Sequence, residues 1–322
     1  MGEVRNLMQE EENMFKEKKD LIWVLLIAMV FQLLPMLVFA AGSAEEQQSS
    51  KTETLDVYVS IMPQKYFVER IAGGLAEVHV MVPPGRSPAT YEPTPKQVSS
   101  LGGADVFFTI GVPFEQSFLP RIRENVSNLW IVDTSEGIER REIQSTVEEA
   151  DHEDDHDHDM LDPHIWVSPP LVEKQAENML KALVELAPKR EQELQENYRA
   201  FQTDLQELHE ELKTILEPVK GSPLFVYHPS FGYFAETYGL HQLPIELGGN
   251  EPSPKQLQRV ISLAKKRGVR VVFVQPEFSK ASAQRVAEAI NGAVVEVAPL
   301  KLDYLQNMRY IAQEVRQGLE GK

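Results

Sequence analysis

The chain of 322 residues contains no cysteine. This absence excludes disulfide bonds, thiolate metal ligands and thiol catalysis, and it also excludes a bacterial lipid anchor on a cysteine after the leader. Positive charge is scarce, with 32 Lys and Arg residues against 49 Asp and Glu residues. The resulting net charge of −17 repels the phosphate backbone of nucleic acids. The chain also lacks the His-Glu-x-x-His, Gly-x-Ser-x-Gly and glycine-rich phosphate-loop motifs. We therefore expect neither a nucleic-acid partner nor an enzyme.

The N-terminal region has the pattern of a secretion leader. Three lysines at residues 16–19 precede an apolar run at 21–41, and small residues follow it. This order is typical of a signal peptide over residues 1–41, although the run is also about long enough to remain as a membrane anchor. In either case residues 42–54 form a polar linker. We expect a periplasmic or otherwise extracytoplasmic protein that is not a lipoprotein.

Two segments of the chain repeat each other. Residues 92–97 read Glu-Pro-Thr-Pro-Lys-Gln, and residues 251–256 read Glu-Pro-Ser-Pro-Lys-Gln, at equivalent places in two series of strand and helix patterns. In both copies Thr94 or Ser253 would cap a helix whose first residue is proline. The repeat predicts an α/β fold of two related lobes, with mainly parallel sheets and flanking helices.

One long helix is predicted between the lobes. Residues 188–218 carry apolar side chains at intervals of three and four, which predicts a helix with one apolar stripe. We interpret it as a rigid link between an N-terminal lobe at 55–187 and a C-terminal lobe at 219–322; a free coiled coil is the alternative. Apolar runs predict strands at 55–61, 78–82, 106–110, 129–132, 224–227, 269–274 and 294–297.

A loop at residues 150–160 is rich in histidine and aspartate. His152, His156 and His158 lie among carboxylates, and His164 follows behind a proline. Imidazole and carboxylate groups are the usual ligands of zinc and manganese. The alternative is a solvated acidic loop. The first hypothesis is that the protein handles a metal cation.

A second candidate ligand lies at the end of a predicted strand. His228 directly follows the strand at 224–227, and ligands of parallel sheets bind beyond the carboxyl ends of the strands. Facing lobes would bring His164 and His228 to a shared cleft, where Asp162 could orient an imidazole. Three other histidines are expected to be structural: His79, His209 and His241.

Four motifs, at residues 84–95, 162–169, 227–234 and 251–254, resemble those of the zinc/manganese substrate-binding proteins of bacterial metal ABC transporters, the cluster A-I solute-binding family. The resemblance extends from about residue 55 to 320 of the sequence. It implies two lobes joined by one rigid helix, a Zn²⁺ or Mn²⁺ ion buried in the cleft, and delivery of that ion to a membrane ABC permease. We expect a monomer.

The resemblance transfers only part of the ligand set. His164 and His228 match the second and third family ligands, whereas Ala89 and Ala298 stand where the family usually has His and Asp. Zinc prefers four ligands, so replacements are expected. Glu277, just past the strand at 269–274, is the candidate third ligand.

Other replacements stay open at this stage. Glu92 and Tyr91 lie near the missing first ligand, and His158 could fold back onto the ion from the loop. The expected function is capture of zinc, or of manganese, outside the cytoplasmic membrane, weakening as pH falls below about 6.5 because histidine must lose its proton to bind metal. The alternatives are the same fold binding a metal chelate or another small solute, and a metal-dependent surface adhesin.

Overall fold

A computed structural model describes residues 54–126, 128–143, 161–246 and 252–321. The predicted leader at 1–41, nearly all of the linker and the loop at 150–160 lie outside these residues.

The first lobe contains β1 (Leu55–Val59), α1 (Met62–Ala72), β2 (Ala76–Val80), α2 (Pro95–Ser100), β3 (Val106–Thr109), α3 (Pro113–Asn125), β4 (Trp130–Asp133) and α4 (Pro169–Leu186). After α5 (Glu191–Leu216) the second lobe contains β5 (Pro223–Val226), α6 (Gly232–Tyr238), β6 (His241–Pro244), α7 (Pro254–Lys266), β7 (Val271–Val274), α8 (Lys280–Ala289), β8 (Ala293–Glu296) and α9 (Tyr304–Glu320).

Each lobe is built on a four-stranded parallel sheet. The strand order is β2-β1-β3-β4 in the first sheet and β6-β5-β7-β8 in the second, and every pair of neighbours is parallel. The central strands β3 and β7 are buried along their whole length, as expected when helices cover both faces of a sheet. The identical order confirms the predicted fold of two related lobes.

The predicted strands are all present, with ends displaced by at most two residues. The strand predicted at 269–274 begins instead at Val271, because the amide of Val269 donates to Ala264 O at 2.9 Å and so closes the preceding helix. Within the described residues, no helix is long and apolar enough to cross a membrane.

The repeated hexapeptides begin α2 and α7 as predicted. The hydroxyl of Thr94 accepts a hydrogen bond from Gln97 N at 3.3 Å, and the Gln97 side chain accepts one from Thr94 N at 2.9 Å. Ser253 and Gln256 form the same reciprocal pair at 3.3 and 2.8 Å. These capping boxes satisfy amide groups that a helix start otherwise leaves unpaired.

The long helix α5 packs against both lobes. Most of its apolar stripe is buried, and the Phe201 ring lies 5.8 Å from that of Phe67 in α1. On the side of the second lobe, Glu211 accepts a hydrogen bond of 2.6 Å from Arg309 in α9. One continuous apolar core includes side chains of both lobes and of α5, so the helix is not a free coiled coil.

Candidate metal centre

The backbone of His228 is held in place by a residue at the end of the neighbouring strand β7. His228 follows the end of β5, and Gln275 follows the end of its neighbour β7. The Gln275 amide donates to His228 O at 3.0 Å and to Ser230 Oγ at 2.6 Å, while Gln275 Oε1 accepts from His228 N at 3.4 Å. The buried glutamine therefore holds the turn that carries the histidine.

The ring of His228 is fixed from two further sides. Glu246 follows β6, the other neighbour of β5, and its amide donates to Tyr227 O at 2.9 Å. Its carboxylate, 1% exposed, lies 2.6 Å from His228 Nδ1. Phe278 stacks on the imidazole with ring centroids 4.4 Å apart and planes at 18°. The remaining ring nitrogen, Nε2, faces His164.

His164 is oriented in the same way from the first lobe. Asp162 Oδ1 lies 2.6 Å from His164 Nδ1 and also accepts from His164 N at 3.0 Å. Trp166, two residues later, packs beside the imidazole at 5.1 Å and donates from Nε1 to Pro299 O in the second lobe at 3.1 Å. Asp162 thus acts as the orienting acceptor that the sequence indicated.

The described residues that flank the stretch 144–160 in sequence, Arg141, Glu142 and Leu161, lie beside Asp162. Asp162 N donates to Arg141 O at 2.8 Å, and Glu142 forms an isolated antiparallel bridge with Leu161. Tyr233 in α6 donates from its hydroxyl to Asp162 O at 3.0 Å. His152, His156 and His158 lie outside the described residues.

The two imidazoles face each other across the lobes. His164 Nε2 and His228 Nε2 are 3.3 Å apart, and the ring planes cross at 77°. In the neutral tautomers whose Nδ1–H donates to Asp162 and Glu246, each Nε2 carries a lone pair. A tetrahedral zinc ion, with zinc–nitrogen distances of about 2.0–2.1 Å, holds two such nitrogens about 3.3–3.4 Å apart. The observed separation therefore fits a pair of zinc ligands.

The electrostatic surroundings also favour a bound cation. Burial lowers the pKa of His228 below its ordinary value, outweighing the hydrogen bond with Glu246, and nearby His164 lowers it further. The neutral ring is the form that binds metal. Among the described residues, Asp162 Oδ2 and Glu246 Oε1 are buried without a hydrogen-bond partner. Each imidazole therefore has behind it a buried carboxyl group with one oxygen unpartnered, an environment that suits a bound metal cation.

Glu277 is not brought together with the histidines. Its side chain lines a cavity of about 410 Å³ to which Ala298 also contributes, and burial, reinforced by Glu296, raises its pKa. Within the four described ranges, no group of three or more His, Asp or Glu side chains is placed to hold a metal ion.

The proposed replacements near Ala89 have other surroundings. Tyr91 is buried, and its hydroxyl donates to Gln97 Oε1 at 2.7 Å, so it belongs to the start of α2. Glu92 is exposed, and Ala89 is half-buried.

Sequence reasoning missed four side chains that support the pair. Glu246 and Gln275 each follow the end of a parallel strand, so the rule that predicted His228 could have found them as well. Phe278 and Trp166 carry no comparable signal, because their roles depend on contacts between turns.

Comparisons with known proteins agree with this geometry. A family model described as "ZnuA: Zinc-uptake complex component A periplasmic" matches residues 57–318. The high-affinity zinc uptake system protein ZnuA of Bacillus subtilis (strain 168) is 30% identical over 273 residues, covering 81% of this chain and 84% of that protein. The manganese-binding lipoprotein MntA of Halalkalibacterium halodurans is 28% identical over 277 residues, covering 84% and 86%.

A crystal structure of a ZnuA deletion mutant with zinc bound has 37% sequence identity to this chain and a TM-score of 0.75, covering 82% of this chain and 98% of that one. The two-lobed parallel fold, with its cleft between the lobes, defines the class of extracytoplasmic solute-binding proteins of metal ABC transporters. Within that class, the chain belongs to the family of the periplasmic zinc-uptake complex component A.

Proposed function

We propose that this protein captures a zinc ion between its lobes and delivers it to a membrane ABC permease. The observation that carries the proposal is the separation of 3.3 Å between His164 Nε2 and His228 Nε2, each backed by a buried carboxylate. The relative from Bacillus subtilis is a zinc uptake protein, which supports the same cargo here. Manganese, the metal of the second relative, is the weaker candidate because two imidazoles favour zinc.

In this proposal His164 and His228 are direct ligands, and Asp162 and Glu246 are their orienting acceptors. The two nitrogens fill half of a tetrahedral shell. The remaining positions go to water or to donors that the described residues do not supply. The loop with His152, His156 and His158 forms a separate, weaker binding segment.

Capture and release follow from the placement of the ligands. His164 belongs to the first lobe and His228 to the second, so metal binding links the two lobes directly. The helix α5 packs against both lobes, which restricts closure to a small motion. Release at the permease then requires that the two imidazoles separate.

The expected location follows from the N-terminal sequence. Residues 1–41 fit a signal peptide or an uncleaved membrane anchor, either of which gives an extracytoplasmic protein. The relative MntA is a lipoprotein, but the lack of cysteine argues against a lipid anchor of that kind here. A monomer suffices, because one chain supplies both histidines.

The proposal is tested by titrating metal-stripped protein with zinc and manganese in a calorimeter. Changing both His164→Ala and His228→Ala should abolish the tightest zinc site and leave only weak binding. His241→Ala, an exposed histidine of β6, is the matched control and should bind as the parent does. Unchanged tight zinc binding in the double variant would refute the assignment of these ligands.

A further inference from the structure

A cavity of about 410 Å³ opens between the lobes. From the first lobe its walls include Met62 at the start of α1 and residues 82–86 after β2; from the second lobe they include Glu277, Ala298 and Leu300. Most of these side chains are apolar. The volume falls in the range typical of pockets for small organic ligands, and a single metal ion does not need it.

The cavity and the histidine pair share two segments of chain. In the turn after β7, Gln275 and Phe278 contact His228, whereas Pro276 and Glu277, between them, line the cavity. After β8, Ala298 and Leu300 line the cavity on either side of the proline whose carbonyl accepts the hydrogen bond from the tryptophan beside His164. The two sites are therefore built in part from the same two segments of chain.

The charged groups of the cavity select its ligand. Arg86 and Lys301 are exposed, and the Lys301 ammonium already lies 5.3 Å from the centre of the Tyr310 ring. Arg86 is therefore the better partner for a carboxylate, which its guanidinium can bind through two hydrogen bonds. Glu277 and Glu296 on the wall of the second lobe repel ligands that carry several negative charges.

We propose that this cavity binds an amino-acid chelator whose donors complete the shell of the zinc ion, so that the cargo is a metal–chelate complex. The inference rests on the proposed function, because it takes zinc on His164 and His228 as its starting point. Two coordination positions stay open there. An α-amino acid with an imidazole side chain fills both with neutral nitrogens once its ammonium group has released a proton to solvent, while its single carboxylate pairs with Arg86 and its carbon atoms contact the apolar walls.

The test uses the full-length protein loaded with one equivalent of zinc and titrated with L-histidine. We expect saturable binding of one L-histidine per protein, with zinc retained by the protein after gel filtration. Citrate, which chelates zinc through several carboxylates, should show no such binding. If L-histidine only strips the zinc, or if citrate binds in its place, the inference is wrong.

Two variants locate the bound amino acid. Arg86→Ala should weaken L-histidine binding at least tenfold and leave the affinity for zinc alone unchanged, and Ala298→Leu should block L-histidine by filling the cavity. Arg123→Ala, an exposed arginine of α3, is the matched control. L-histidine binding that is unaltered in both cavity variants would contradict the inference. Failure of zinc itself to bind the parent protein would instead overturn the proposed function.

Discussion

At the scale of single residues, the site depends on a carboxylate behind each imidazole. The sequence could predict His164, His228 and Asp162, because short motifs and a strand end identify them. Glu246 is 18 residues from His228 along the chain. It reaches the ring only because β6 lies beside β5, and the order of strands within a sheet is not encoded in any local pattern.

Glu246→Gln tests this support directly. The amide still accepts the hydrogen bond from Nδ1, but it removes the negative charge that strengthens Nε2 as a ligand. Zinc affinity should fall about 10–100-fold, as is usual when such a supporting group is changed, with little loss of folded structure. Calorimetry measures the affinity, and Glu124→Gln on the surface of α3 is the control. Equal affinities would show that the carboxylate does not support the ligand.

At the scale of secondary-structure elements, a buried carboxyl group of α3 lies against the ends of the parallel strands β1 and β3. In the first lobe Glu115, only 2% exposed, accepts hydrogen bonds from Ser60 Oγ at 2.5 Å, Ile110 N at 3.0 Å and Gly111 N at 2.7 Å. Burial nevertheless raises the pKa of Glu115 to about 7. The strands themselves were predictable from apolar runs, whereas this buried carboxyl needs the three-dimensional packing of α3 against them.

The raised pKa predicts a pH-dependent stability. Between the unfolded value of 4.5 and the folded value of about 7, the folded chain keeps a proton that the unfolded chain has lost. The stabilisation is therefore complete below the unfolded pKa and declines as pH rises through the folded pKa, by roughly 3 kcal/mol in total.

Glu115→Gln cannot titrate, so urea unfolding of the metal-stripped variant should show a shallower loss of stability from pH 5 to pH 8 than the parent. The comparison uses the change in the free energy of unfolding with pH rather than its value at one pH. This is necessary because the Gln side chain has one acceptor oxygen fewer than Glu, which affects stability at every pH. Parallel pH profiles for parent and variant would contradict the raised pKa. Glu124→Gln should follow the parent.

At the scale of the whole molecule, one core joins the lobes and α5. The internal repeat predicted two lobes, and the apolar stripe predicted the long helix. Contacts between lobes, such as the hydrogen bond from Trp166 to Pro299, could not be predicted, because they join segments 133 residues apart with no shared pattern.

Phe201→Ala tests whether this core unfolds as one unit. Phe201 is fully buried and packs on Phe67, so its truncation should cost about 3–5 kcal/mol. We expect a single urea transition, shifted to lower concentration. Thr203→Ala, exposed on the same helix, should leave the midpoint nearly unchanged. Two separate transitions would indicate lobes that unfold independently.

The most direct measurement is the X-ray absorption spectrum of bound zinc. His152, His156 and His158 are first changed to Ala, so that imidazole in the spectrum comes from the cleft rather than the loop. We predict one tightly bound zinc ion with two imidazole nitrogens at about 2.0–2.1 Å and other light atoms completing the shell. A spectrum without imidazole scattering, or a variant that no longer retains zinc, would contradict this prediction.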